Sequence, residues 1–117
     1  MKSIALAPLG MVLLAGSSRA EETITVPSDP GVGYFVVELS SPGQSLAHII
    51  TRREGRSGTS YANREVNCPN LTFRYLGEGD TLEEARDTTY ADKKFGPLVD
   101  GSISDVISRY ACSKLGL

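Results

Sequence analysis

Cys68 and Cys112 are the only cysteines in a chain of 117 residues, and whether they join decides which folds are open to it. The first twenty residues bear on that question. Lys2 precedes an apolar run from Ile4 to Ala15 that is too short for a bilayer span. Ser18-Arg19-Ala20 then sets small residues at the −3 and −1 positions of a signal-peptidase site. The pattern predicts a cleaved signal peptide over residues 1–20 and a single domain over 21–117. Export leads to an oxidising compartment, where a lone cysteine pair is expected to form a disulfide rather than a metal or redox site. Two buried free thiols are the alternative.

A domain of 97 residues buries one modest core and has little stability to spare. The cysteines lie 44 positions apart, and closing such a loop stabilises by roughly 4 kcal/mol in the chain-entropy model. Removing Lys2 and Arg19 from twelve basic residues leaves ten against fourteen acidic ones, a net charge of −4. That balance favours solubility and gives no general attraction to nucleic acid or an anionic membrane. No later apolar run reaches the length of a membrane span, and no cysteine follows the leader to receive a lipid. The expected location is the periplasm or the exterior.

The pattern along the chain predicts an α+β fold: a small antiparallel sheet of about four to five strands, with a C-terminal helix packed on one face. Tyr34, Phe35, Val36, Val37 and Leu39 form a first strand, which Ser40-Ser41-Pro42-Gly43 is expected to break. Leu46 to Arg53 alternates, with Leu46, His48 and Ile50 opposed to Ala47, Ile49 and Thr51. A hairpin loop, Glu54 to Gly58, leads to a polar strand from Thr59 to Cys68, in which Tyr61, Ala62 and Val66 pack. Leu71 to Leu76 is the fourth strand.

After Gly77 the pattern becomes helical. Thr81-Leu82-Glu83-Glu84 has capping-box spacing, and a short helix to about Thr88 follows. Ser102 caps the last helix, with Asp105 near its positive end. Ile103, Val106, Ile107, Tyr110 and Ala111 make its apolar stripe. Cys112 falls on the far side of that stripe, about 180° from Ile103. The helix is therefore expected to fray near Ala111; otherwise the disulfide reaches around its flank.

An Arg-rich strand leads into Ser60-Tyr61-Ala62, a strand ends in Asn67-Cys68, and Phe73-Arg74-Tyr75 follows. Gly101-Ser102-Ile103 then opens a helix that closes on Tyr110-Ala111-Cys112. In that order these segments resemble the surface-adhesin protein E family of small secreted bacterial proteins. The resemblance spans roughly residues 49–112. It implies an antiparallel sheet tied by a disulfide to a C-terminal helix, and binding at the bacterial surface to host extracellular-matrix ligands. This chain departs from the family in lacking tryptophan, in its long loop from Glu78 to Pro97 and in having no acylated cysteine.

Few residues suggest catalysis. His48 is the only histidine, it has no cysteine near it at metal-ligand spacing, and no Gly-x-Ser-x-Gly elbow is present. Glu78 with Asp80 lacks the alternating donors of a calcium loop, and Glu83, Glu84 and Asp87 suit the solvated face of an N-terminal helical turn. No metal or cofactor is expected. Asn70-Leu71-Thr72 fits the glycosylation triplet, which matters only in a eukaryotic secretory pathway.

The arginines carry the strongest functional hint. Arg52, Arg53 and Arg56 flank one hairpin, Arg64 lies on the returning strand and Arg74 on the next. Arg52, Arg64 and Arg74 are expected on one sheet face. The candidate site is an anion surface of Arg52, Arg53, Arg56 and Arg64, with Tyr61 as a flat contact beside them. The competing expectation pairs these arginines with Glu54, Glu65 and Glu38 on a wet sheet face. The function expected is an exported, adhesin-like, non-catalytic binding module with an anionic or protein ligand at the envelope. The alternative is a periplasmic inhibitor or accessory subunit that engages a partner enzyme through Glu54 to Gly58 or Glu78 to Pro97.

Overall fold

A computed structural model describes residues 21–117; the expected signal peptide over 1–20 lies outside the described residues. The elements run β1 (Gly33–Gly43), β2 (Leu46–Gly55), β3 (Gly58–Asn67), β4 (Thr72–Gly79), α1 (Leu82–Arg86), β5 (Gly96–Pro97) and α2 (Ile103–Leu115). The strands pair in sequence order, each antiparallel to the next, and α2 packs on one face of the sheet. A disulfide joins Cys68 to Cys112 with Cα atoms 5.8 Å apart. The α+β architecture expected from the sequence is the one the chain adopts.

Three local expectations are corrected. β1 does not break at Ser40 but continues through Pro42 to Gly43, with a register shift between Ser40 and Gly43. It is an edge strand, so the missing N–H of Pro42 removes no bond from the sheet interior. Gln44 and Ser45, with φ of 58° and 59°, turn the chain in the left-handed region that tight hairpins require. β3 is polar in composition yet central, and its second half is covered on both faces, with Asn63, Arg64 and Glu65 all buried.

The third correction concerns α2. It does not fray at Ala111 but runs to Leu115, where Gly116 caps it in the left-handed conformation. Its buried face is Ser104, Asp105, Ile107, Ser108, Ala111 and Cys112, while Ile103, Val106 and Tyr110 are only partly covered. The helix is thus rolled toward its serines. Ser104, Ser108 and Cys112 recur every four residues and form one row along it. They run alongside Arg64 and Val66 of β3 and Cys68 just past its end, which alternate along the chain. Arg64 donates to Ser104 at one end of this pairing, and the disulfide closes the other. Eight residues of helix rise about 12 Å and four of strand about 13 Å, so both ties fit one straight approach.

Behind α2 lies the core of Ile24, Val26, Tyr34, Ala47, Ile49, Val66, Ile107 and Ala111. The segment before β1 joins it: Ile24 donates to the Tyr34 carbonyl, Val36 donates to that of Glu22, and together they cover the outer edge of β1. On the opposite sheet face α1 sits against β4. A Cβ on Gly77 would meet the Ala85 carbonyl oxygen at 2.3 Å, so only glycine permits that approach. The Asn63 side-chain amide also donates to the Ala85 carbonyl at 3.1 Å.

A candidate anion-binding cleft at Arg64

β2 and β3 are ten residues each, and α2 begins only near Arg64. The far half of the same sheet face is therefore left open. The result is a cleft of about 530 Å³. Thr51, Arg53, Ser60, Ala62 and Arg64 come from β2 and β3. Tyr34 closes one side and Ile103 stands at the helix end. Glu78 and Asp80 line the other rim. That volume suits a small ligand or one terminal group of a larger one.

Arg64 is the unusual member, with only 4% of its surface exposed. Its Nε donates to Ser104 Oγ at 3.1 Å, one terminal nitrogen to Thr51 Oγ1 at 3.3 Å and the other to the Tyr75 hydroxyl at 3.4 Å. The Tyr75 ring lies 5.1 Å from the guanidinium carbon, and the Tyr75 hydroxyl is 3.0 Å from Ser104 Oγ. All these partners are neutral. No carboxylate among the described residues forms an ion pair with Arg64. A guanidinium carries five N–H donors, of which these hydroxyls take three.

Arg53 sits nearer the mouth and is held differently. Its Nε lies 3.2 Å from the Tyr34 hydroxyl and its terminal nitrogen 3.2 Å from Asp29. Tyr34 donates to Asp29 at 2.5 Å. That hydrogen bond draws the Asp29 carboxyl below its ordinary value, with Arg53 adding to it against the cost of burial. Burial, then Asp29, pushes the Tyr34 hydroxyl up.

The expected alignment of Arg52, Arg64 and Arg74 on one face does not occur. In the register Arg52 opposes Tyr61 and Arg74 opposes Glu65, while Arg64 opposes Ile49 and Tyr75 on the helix side. The mismatch is a matter of parity, because a hairpin register fixes which residues share a face. Arg52 stacks on Phe35 at 4.6 Å and pairs with Glu54 and Glu21. Arg74 pairs with Glu65 and covers Phe95. Both follow the pairing expectation. Arg56 stands exposed in the β2–β3 turn, and Tyr61 borders the cleft from β3. Of the sequence candidates, the fold brings Arg53 and Arg64 together; Tyr61, opposite Arg52 in the register, turns its side chain to the other face of β3 and meets the cleft only at its edge. The fold adds Thr51, Ser60, Ser104 and Tyr75, neutral hydroxyl residues that nothing in the sequence marks out.

His48 is on the other face, its Nε2 2.6 Å from Glu65, which also accepts from Arg74 Nε at 2.7 Å. Burial pushes the Glu65 carboxyl up, but the bonds from His48 and Arg74 outweigh it and leave it below its ordinary value. No group of three potential metal ligands occurs among the described residues. Comparison with protein-family models, curated proteins and solved structures returned no match.

Proposed function

We propose that this chain is an exported, adhesin-like, non-catalytic binding module that grips its ligand by an anionic group placed in the cleft at Arg64. One observation carries this reading: a buried guanidinium whose hydrogen-bond partners are hydroxyls and which forms no ion pair with a carboxylate among the described residues. Burying an unpaired charge costs several kcal/mol, and hydroxyl dipoles offset only part of that. Such a cost is reasonable where a bound carboxylate, sulfate or phosphate completes the site with bidentate, charge-assisted bonds. Export is supported by the leader pattern and by a disulfide, a bond typical of oxidising compartments. No helix among the described residues is long and apolar enough to cross a membrane. The adhesin-like character rests on the protein E resemblance. A non-catalytic role is supported by the position of His48, bound to Glu65 on the face opposite the cleft.

Titration calorimetry with acetate and with phosphate at low ionic strength tests the reading. Saturable 1:1 binding, lost in Arg64→Met and kept in Arg86→Gln, is the expected result. Equal heats from wild type and Arg64→Met contradict it.

A second reading, an inhibitor or accessory subunit, is favoured by the loop between α1 and β5. Tyr90 is 91% exposed at its crest. The loop is braced on both sides: Asp87 accepts from Thr89, and the Asp92 N–H donates to the Tyr75 carbonyl while its carboxylate accepts from the Tyr75 N–H. A rigid loop presenting one aromatic ring suits insertion into a partner's pocket. Inhibition of a co-purifying enzyme, abolished by Tyr90→Ala, would favour this reading; full turnover in the presence of the protein would remove it.

A further inference from the structure

The same cleft carries charge of both signs, and the two signs lie apart. Arg64 is at its floor; Glu78 and Asp80 stand exposed on the β4 rim. Among the described residues neither carboxylate forms an ion pair. Ala62 opposes Glu78 in the register, and Arg64 lies two positions along β3. Arg64 and Glu78 are thus diagonal neighbours, with backbones about 7–8 Å apart. The bulge between Asn63 and Arg64 fixes this offset, because it inserts Leu76 on β4 and brings Glu78 back to the helix side.

We infer that the ligand is zwitterionic, an aminocarboxylate whose anionic end meets Arg64 and whose ammonium group meets Glu78 and Asp80. This deepens the proposed function and rests on it. An anion alone would meet repulsion from the rim carboxylates as it entered, whereas a ligand with an amine at the right distance turns that repulsion into attraction. Tyr34 and Ile103 give its carbon chain an apolar wall. Because Arg64 is buried at the floor and the two carboxylates are exposed at the rim, the ligand is expected to carry a carbon spacer between its charges, which glycine lacks.

The test is an NMR titration of the disulfide-bonded protein with glycine, 4-aminobutyrate, 6-aminohexanoate, hexanoate and hexylamine. The expected result is that one of the longer aminocarboxylates binds at least tenfold more tightly than glycine, hexanoate or hexylamine. That advantage disappears in Glu78→Gln with Asp80→Asn and persists in Glu83→Gln. Hexanoate binding as tightly as every aminocarboxylate overturns the zwitterion and leaves the anion cleft standing. An advantage that survives in the Glu78/Asp80 variant also overturns it. Absence of binding by all five probes overturns both readings.

Discussion

A cation buried for stability and a cation buried for binding respond differently when its charge is removed. Arg64 has no carboxylate to leave stranded, and Ser104 and Tyr75 remain 3.0 Å apart to satisfy each other. Arg64→Met leaves the buried Thr51 hydroxyl without its donor, so stability is expected to change by no more than about 2 kcal/mol in either direction, while anion binding is lost. Denaturant unfolding beside a binding titration checks both halves. A loss of more than about 3 kcal/mol would mark Arg64 as a structural residue. Ser108 gives a second test at this scale. Its hydroxyl is fully buried and has no hydrogen-bond partner, and the paired rows of α2 and β3 set it opposite Val66. Ser108→Ala removes an unsatisfied polar group and substitutes a better helix former. It is expected to stabilise by about 1 kcal/mol, read as a raised denaturation midpoint at constant slope.

The elements were legible in the sequence wherever one face is apolar and the other wet. β2 alternates as its residues suggest, with Ala47, Ile49 and Thr51 buried under the helix. Thr81 and Glu84 form the capping box that their spacing announces, and Ser102 accepts from the Asp105 N–H at 3.1 Å. Removing the second of these caps, in Ser102→Ala, is expected to cost about 1 kcal/mol in thermal or chemical unfolding. Legibility failed where burial is polar. The apolar stripe of Ile103, Val106 and Tyr110 pointed to a roll of α2 that the Arg64–Ser104 bond and the Cys68–Cys112 bridge override. β3 looked like a wet strand because Asn63, Arg64 and Glu65 bury their polar groups in hydrogen bonds that only the register creates. The same blindness hid the cleft. Its hydroxyls are ordinary serines, threonines and tyrosines until three of them converge on one guanidinium. Gly77 was likewise silent in sequence. Gly77→Ala is expected to push α1 off β4 at a cost of about 1–3 kcal/mol, visible as faster amide exchange in residues 82–86.

At the scale of the whole molecule, one covalent bond, the Arg64–Ser104 hydrogen bond and the apolar core hold α2 to the sheet and keep the cleft's floor in place. Reducing Cys68–Cys112 opens a loop of 44 residues and is expected to cost roughly 4 kcal/mol, a large share of the stability of a small domain. The acid limit follows from carboxylates whose folded values are depressed. Burial raises Glu65, but His48 and Arg74 bring it below its ordinary 4.5. Asp105 is lowered first by the Gly101 N–H and then by Arg109, from an ordinary 3.8. A depressed carboxyl contributes stability above its unfolded value and loses it as pH falls through the folded one. Stability is thus expected to hold from neutrality to about pH 5 and to decline below about pH 4, and Glu65→Gln should flatten that decline. The most direct test of the cleft itself is the NMR signal of the Arg64 Nε–H during titration with acetate. A saturable shift at Arg64, with Arg52, Arg56 and Arg86 unmoved, is the predicted result. A static Arg64 signal, with unsaturating shifts spread over the exposed arginines, would contradict a buried anion site and return the charges of this sheet to ordinary surface pairing.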